Sequence, residues 1–394
     1  MHISGIVAEY NPFHNGHLYH LEATKSLGAT HVVAVMSGNF VQRAEPAIVS
    51  KFDRARVAAL CGVDLVIELP LAFSTAVSER FAFGAVSILN ALGVVDSISF
   101  GSEVGNIDVL KETVEALEDA RVIRRIKRLT EIGESYPSAQ EKALEVFFPN
   151  LANVVTGANN ILGINYIGAL KKLGSKIEPM TIERYGAMHD SGEISDSIAS
   201  ASRIREIVRL RGGFARLVPH ESELMLLDAI VAGRVSGSLE RIESAVLYKL
   251  RGMTNEQMNL LPEASTGLGD RLFQATQTAS SIEELYDLVK TKRYTMSRVK
   301  RVVLNAFLDI LGKDYQTIPY IRLLAIGKNG TDILRAMKRK CNLSVSSSPI
   351  ELTELRGIAA ETIKKETRAT DIYNLTLVKR GPVGEDYTTK LYTY

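Results

Sequence analysis

Two cysteines, Cys61 and Cys341, are all that the 394 residues contain. One lies in an apolar helical stretch and the other in a basic one, without metal-type spacing. That excludes a disulfide framework and points to a reduced, cytoplasmic protein. No stretch approaches ~20 uninterrupted apolar residues, and the opening Met1-His2-Ile3-Ser4 lacks the basic, apolar and cleavage-site series of a leader. Neither membrane insertion nor secretion is expected. An excess of one charge is also lacking, since 47 Lys and Arg face 45 Asp and Glu. Any nucleic-acid surface must therefore be a local basic patch. Internal repeats, low-complexity tracts, Cys-x-x-Cys, His-Glu-x-x-His and carboxylate clusters are absent, so no protein-built metal site is expected.

What remains is a chain of ordinary globular make-up, 46% apolar and 23% charged, long enough for two or three domains. Its first apolar run, Ile3 to Ala8, ends at Asn11-Pro12, where a helix cannot readily continue. The polar His14-Asn15-Gly16-His17 then leads into the period of Leu18, Leu21 and Ala23. The pattern predicts strand, turn, helix. His14 and His17 are three apart, so both imidazoles point the same way from the first helical turn, beside backbone N–H groups without intrahelical partners. A helix N-terminus favours anions, two imidazoles add donors, and Gly16 lets a flat group lie against the backbone. The carboxyl end of a first strand is where open α/β sheets bind ligands. Nucleotide binding through phosphates is the expectation, with surface histidines or zinc ligands as the alternatives.

Further strands are predicted at residues 31–36, 63–70, 97–100 and about 177–182, with a helix over 50–61. The alternation implies an α/β fold with a doubly wound parallel sheet, Rossmann-like, joined by right-handed crossovers. Arg43 and Lys51 follow the second strand and are expected on the ligand edge, as a solvated helix start or as phosphate or RNA contacts. Arg121, Arg124, Arg125 and Arg128 form a basic helical stripe, read as charge pairing with the acidic helix before it or as an RNA-facing surface. Asn159-Asn160 reads as a polar pair capping an apolar helix. Arg184 emerges at the ligand edge after the fifth strand, just before Tyr185. Ser200 and Ser202 open a helix that also carries Arg205, which combines an N-cap, free N–H groups and a guanidinium.

The string Glu9-Tyr10-Asn11-Pro12-Phe13-His14-Asn15-Gly16-His17 resembles the bacterial tRNA(Met) cytidine acetate ligases, within the His-x-Gly-His nucleotidyltransferases. Asn159-Asn160-Ile161-Leu162-Gly163 and Arg184 match elements of the same family, and Ser200 to Arg205 resembles the phosphate-holding Ile-Ser-Ser-Thr-x-Ile-Arg motif of other nucleotidyltransferases, with alanines at two positions. The synthetase-type Lys-Met-Ser-Lys-Ser loop is absent. The resemblance implies an ATP site along Val7, Ala8, Glu9, Tyr10, Asn11, Pro12, Phe13, His14, Asn15, Gly16, His17, Leu18, Tyr19 and His20. Gly101, Asn159, Arg184, Ser200, Ser202 and Arg205 complete it. His14 and His17 would be catalytic, and Mg2+ would accompany the triphosphate. The implied reaction activates acetate as acetyl-adenylate, then acetylates N4 of the wobble cytidine of elongator tRNA(Met).

Arg211-Gly212-Gly213 breaks a helix, and helical periods dominate beyond it. Residues 1–213 are therefore expected to form the catalytic domain and 214–394 a mainly helical, tRNA-binding one. Residues 290–301 hold six basic residues, one aromatic and no acid. Lys292, Arg293, Arg298 and Arg301 suit phosphate contact and Tyr294 suits stacking on an unpaired base, against the plainer reading of a solvated helix face. Pro319 to Leu324 is expected to be a buried strand or helix with Arg322 projecting. Two rival functions remain: an adenylyltransferase of a small phosphorylated metabolite, and an RNA-binding protein with a vestigial nucleotide site. The oligomeric state is left open.

Overall fold

The computed structural model describes residues 1–184 and 198–394; Tyr185 lies outside the described residues. Strands β1 (Ile3–Ala8), β2 (His31–Ser37), β5 (Leu65–Leu69), β6 (Ser97–Ser102) and β7 (Glu178–Glu183) run parallel, and β3 (Phe40–Val41) and β4 (Glu45–Pro46) form a separate ribbon. Three strands from the far end of the chain join them: β8 (Ile321–Ile326), β9 (Val345–Ser346) and β10 (Tyr392–Thr393). The order across the sheet is β10-β8-β5-β2-β1-β6-β7, with β9 beside β8 and β8 antiparallel to β5. From β1 the chain winds one way through β2 and β5 and the other way through β6 and β7. The β1/β6 boundary is the topological switch point, and the crevice at its carboxyl ends is where such sheets take ligands.

Both faces of the sheet are covered, as a parallel sheet requires. Along β2, Val33 and Val35 enter one core with Phe81, Val86 and Leu89, while Val32, Ala34 and Met36 enter another with Leu21, Ala55 and Ala58. The twofold alternation of a strand sends successive side chains to opposite faces, and helices meet each. The helix Ser78–Leu92 comes so close that a Cβ on Gly5 would stand 2.5 Å from Leu89 Cδ1. A further core of Val246, Leu250, Leu268, Leu285, Val299 and Val302 is built by helices beyond residue 213, and it also takes Phe40 and Leu71 from the sheet half.

The buried strand or helix expected at Pro319 to Leu324 is the strand β8, which is apolar enough to be buried on both faces and extends the sheet at β5. The ligand-edge reading of Lys51 and the projecting reading of Arg322 are corrected. Neither Lys51 nor Arg322 faces solvent. Each is 1% exposed, and they share two carboxylates: Lys51 Nζ lies 2.8 Å from both Glu68 Oε1 and Asp386 Oδ1, while Arg322 lies 3.0 Å from Glu68 Oε2 and bonds Asp386. Against burial, which would raise it, Lys51 and Arg322 hold the Asp386 carboxyl below its ordinary pKa. Glu366, buried beside Glu68, is pushed up and accepts the Tyr320 hydroxyl at 2.7 Å. This network ties β5, β8, the start of the helix Lys51–Leu60 and the C-terminal segment into one unit.

Removing one partner of a buried ion network leaves uncompensated charge. Arg322→Ala should therefore cost about 3–5 kcal/mol of stability, read as a lowered urea midpoint. An unchanged midpoint would mean that the network is energetically idle.

Candidate active site

The chain leaves β1 at Ala8, turns through residues 9–13 and enters helix α1 (Asn15–Ser26), with His14 as its N-cap residue. The His14 backbone N–H donates to His17 Nδ1 at 3.2 Å, and the two imidazoles stack with centroids 3.7 Å apart. Tyr10 meets the His17 ring edge-on at 5.0 Å, and Phe13 packs beside it at 5.6 Å. Tyr10 takes a left-handed backbone (φ 46°), uncommon for a bulky residue and concentrated at functional turns. His14 Nδ1 is buried and has no hydrogen-bond partner among the described residues, an arrangement a folded protein rarely leaves without a use.

Residues distant in sequence fix this turn. The buried Arg54 guanidinium donates to Glu9 O at 2.7 Å, Ser37 O at 3.0 Å and Val49 O at 3.2 Å, and also to Gly38 O. Asn11 Oδ1 accepts the Ile48 N–H at 2.8 Å, and Arg205 donates to Asn11 O at 2.9 Å. Ser222 Oγ donates to Phe13 O at 2.7 Å, and Asn15 Nδ2 to Arg216 O at 2.9 Å. The side chains of Tyr10, Asn11, Pro12 and Phe13 are thus buried and build the turn. Farther along α1, Tyr19 is exposed, and His20 pairs through Nε2 with Ser99 Oγ at 3.0 Å, which links the helix to β6.

Gly101 near the end of β6 and Arg184 just after β7 face the histidines across the switch point. A Cβ on Gly101 would lie 3.1 Å from Arg184 Cγ, so glycine lets the arginine cross the strand end. Arg184 donates to Asn159 Oδ1 at 2.8 Å. Asn159 Nδ2 in turn donates to Glu103 Oε1 at 2.7 Å, which sets the amide so that its oxygen faces the guanidinium. The predicted asparagine cap is corrected here. Gly157 is the N-cap of the helix Ala158–Leu173, and Glu103 reaches in from β6 to accept the N–H groups of Asn159 at 3.1 Å and Asn160 at 2.7 Å. These bonds hold the Glu103 carboxyl below its ordinary pKa despite partial burial. Ser200 does cap the helix Ala201–Arg209, accepting the Arg203 N–H at 3.2 Å, and Ser202 Oγ accepts from Arg205 at 3.1 Å.

The structure therefore gathers His14, His17, Gly101, Asn159 and Arg184 at the switch point, and Arg205 brings the Ser200–Ser202 helix end against the same turn. Burial, with Arg184 and Arg205 nearby, pushes the His14 pKa down to about 3. His20 falls to about 4 from burial and Arg184, and His17 lies well below its ordinary value from burial, its two neighbouring histidines and Arg184. At neutral pH the imidazoles are uncharged, and the standing positive charge belongs to the arginines. Arg54 and Glu103 carry much of the geometry. Nothing around Arg54 in the sequence marks it, whereas Glu103 is legible as a polar residue just past a strand end.

The segment at residues 290–301 is corrected more deeply. Tyr294 is 6% exposed and its hydroxyl bonds Thr266 O, so its face is not open for stacking. Arg298 donates to Glu263 O at 2.9 Å and Ser265 O at 3.0 Å, and Arg301 forms a salt bridge with Glu263 at 2.7 Å. Lys292 and Arg293 are exposed. In the stripe, Arg121 pairs with Asp119 at 2.9 Å, just before its own helix, and Arg125 Nε donates to Lys142 O at 3.4 Å.

A His-x-Gly-His turn at the switch point of a doubly wound sheet, with arginines converging on it, defines a nucleotidyltransferase-type α/β protein. The model of the HIGH Nucleotidyl Transferase family matches residues 1–385. A protein of a Thermoanaerobacter species, named tRNA(Met) cytidine acetate ligase, is 38% identical over 397 residues, covering 98% of each chain. Thermotoga maritima TmcAL, solved by crystallography with alpha-thio ATP, shares 31% identity and superposes with a TM-score of 0.91 over 100% of this chain and 99% of that one. Its apo form superposes at 0.92. With this similarity running from end to end, the chain belongs to the tRNA(Met) cytidine acetate ligase family of HIGH nucleotidyl transferases.

The depressed His14 pKa sets a pH dependence. Between about pH 3 and 6.5 the unfolded chain binds a proton at His14 that the folded chain refuses, so stability is full above 6.5 and is lost as pH falls toward 3. Unfolding at pH 7.5 and 5.5 should show a loss of which His14 accounts for on the order of 1 kcal/mol. His14→Asn should remove that share. An undiminished loss in the variant would mean that His14 titrates normally.

Proposed function

We propose that this protein joins acetate to the α-phosphate of ATP, releases pyrophosphate, and transfers the acetyl group to N4 of the wobble cytidine of elongator tRNA(Met), yielding N4-acetylcytidine and AMP. The observation that carries the reading is the stacked His14–His17 pair at the α1 N-terminus, with a buried unpartnered nitrogen, facing Arg184 across the switch point. The family membership and the ATP-analogue complex of the Thermotoga relative support it.

In the first step an acetate oxygen attacks the α-phosphorus, the bond to the bridging oxygen breaks and pyrophosphate departs. The α1 N-terminal N–H groups and neutral imidazole donors stabilise the charge that builds on the phosphoryl oxygens, and Arg184 adds fixed positive charge. Arriving phosphates favour the protonated imidazoles, so nucleotide binding raises the histidine pKa values from their depressed level. In the second step the cytosine amine, weak because its lone pair is delocalised into the ring, attacks the acyl-phosphate carbonyl. The N–C bond forms, AMP leaves and the amine loses a proton. No covalent enzyme intermediate is needed.

Ser200, Ser202 and Arg205 are assigned to the β- and γ-phosphates. Mg2+ enters with the triphosphate. No group of three or more His, Cys, Asp or Glu among the described residues could hold an ion, so the residues present build no cage for it, and each step above uses the chain's own groups. We assign ATP chemistry to residues 1–213 and the greater part of the tRNA contact to residues 214–394, where Lys292 and Arg293 are exposed cations. No helix among the described residues is long and apolar enough to cross a membrane, and we place the protein in the cytoplasm with its tRNA.

The decisive assay is ATP–pyrophosphate exchange with and without acetate, followed by transfer of labelled acetate to tRNA. Acetate-dependent exchange is expected, and acetyl-coenzyme A without ATP should not label the tRNA. Exchange that ignores acetate would favour an adenylyltransferase of another substrate, and no exchange would favour a vestigial site. His14→Ala and His17→Ala should each lower exchange by roughly 10²–10³-fold, the loss expected for one transition-state donor. Glu103→Ala frees the Asn159 amide, and should raise the dissociation constant for ATP roughly 10-fold, the equivalent of one charge-assisted hydrogen bond. Unchanged ATP affinity would remove Glu103 from the site.

A further inference from the structure

A cleft enclosing about 680 Å³ lies between the sheet half and the helical half, lined by the end of the helix Ala201–Arg209, by residues 235–241 and by the helices Ile282–Val289 and Met296–Phe307. Its floor is apolar, with Val208, Val235 and Leu239 beside the half-buried Tyr286 ring. Its rim is cationic. Arg209, Arg211 and Arg241 are exposed there, and none of the three has a carboxylate partner among the described residues. Arg209 donates to Gly237 O at 2.8 Å and Arg241 to Val378 O at 3.3 Å. Bonds to neutral carbonyls hold the Arg209 and Arg241 guanidinium groups in place without neutralising their charge. Two acids also line the cleft. Glu45 pairs with Lys300 at 3.0 Å, so among the described lining residues Glu240 is the one acid left to face the three arginines.

Two elements connect the cleft to the adenylation site. The helix Ala201–Arg209 has Ser200 at one end and Arg209 at the other, a span of roughly 13 Å at 1.5 Å per residue. The turn of the β3–β4 ribbon donates the Gln42 N–H to Glu9 Oε1 at 2.9 Å, and three residues on Glu45 lines the cleft. An anionic occupant with flat apolar groups matches this lining. The burial of Tyr294 and the pairing of Arg301 remove the competing basic segment as a stacking platform.

Resting on the ligase reading, we propose that this cleft is the RNA-entry site: phosphates of the anticodon strand contact Arg209, Arg211 and Arg241, and an unpaired base next to the reacting cytidine lies on the apolar floor by Tyr286. None of the three arginines belongs to the adenylation machinery.

The test uses the full chain carrying Arg209→Gln, Arg211→Gln and Arg241→Gln together, and a second chain with Arg241→Glu alone. Acetate-dependent ATP–pyrophosphate exchange should equal that of the unmodified protein and also reports that the variants fold. The KM for tRNA should rise roughly 10-fold or more in the triple variant, and the log–log salt dependence of tRNA binding should become shallower by about 0.7–0.9 for each phosphate that the variant no longer neutralises. Normal exchange with an unchanged tRNA KM and salt slope would overturn the entry site, leave the ligase reading intact and place the RNA surface elsewhere, as on the helix Ala120–Glu131. Exchange that collapses in the variants would also overturn it, by assigning these arginines to the adenylate step. Absence of acetate-dependent exchange in the unmodified protein would remove the ligase reading, and this proposal with it.

Discussion

One buried guanidinium governs the geometry of the site. Arg54 is fully buried on helix α2 (Lys51–Leu60) and donates to carbonyls at the ends of β1 and β2 and in the loops beyond them. A cation without a carboxylate partner is costly to bury, and here several carbonyl dipoles replace its hydration. Burial lowers its pKa to about 10, with carboxylates such as Glu9 and Glu68 opposing, so it stays charged at neutral pH. The turn from Glu9 to His14 keeps its shape because its base is clamped in this way. Arg205 and Ser222 repeat the device at Asn11 and Phe13 with one hydrogen bond each.

The electrostatics of the site follow from that rigidity. Three imidazoles pressed together beside arginines cannot all be protonated, so the charge of the site rests on Arg184 and Arg205, whose pKa values burial lowers. The histidines are left as neutral imidazoles. Arg184 is oriented by Asn159, and Asn159 by Glu103, so an acidic side chain that need not touch the nucleotide decides where a cationic one points. The same carboxylate caps the helix Ala158–Leu173, and one residue thereby couples helix position to site geometry.

The two halves of the chain are more entangled than a linear division suggests. Strands β8 and β10 extend the sheet, the network of Lys51, Glu68, Arg322 and Asp386 lies under them, and Phe40 and Leu71 enter the helical core. The proposed division, with one substrate activated on the sheet and the other met by the helical unit, needs the relative position of the two to be set. Interdigitated cores and a buried ion network supply that constraint.

Local pattern along the chain was enough to specify the alternation of strand and helix, the position of the first turn and the residue types that crowd it, because periodicity and turn chemistry need no knowledge of distant partners. The five parallel strands lie within a few residues of where β-branched runs predict them, and His14 caps its helix at the point where Asn-Pro interrupts the first apolar run. The direction and company of charged side chains were settled by folding in three dimensions. A basic residue that faces water, one that bonds a carbonyl and one that is buried in an ion network look alike in a string of letters. Thus Lys51, Arg298, Arg301 and Arg322, each with a ligand-facing, RNA-facing or projecting reading open to it, belong to the scaffold, while Arg54 and Glu103, marked by no motif, organise the site. Their partners lie tens to hundreds of residues away, as Arg205 lies 194 residues from Asn11. Such pairings come into being only when the sheet closes around them.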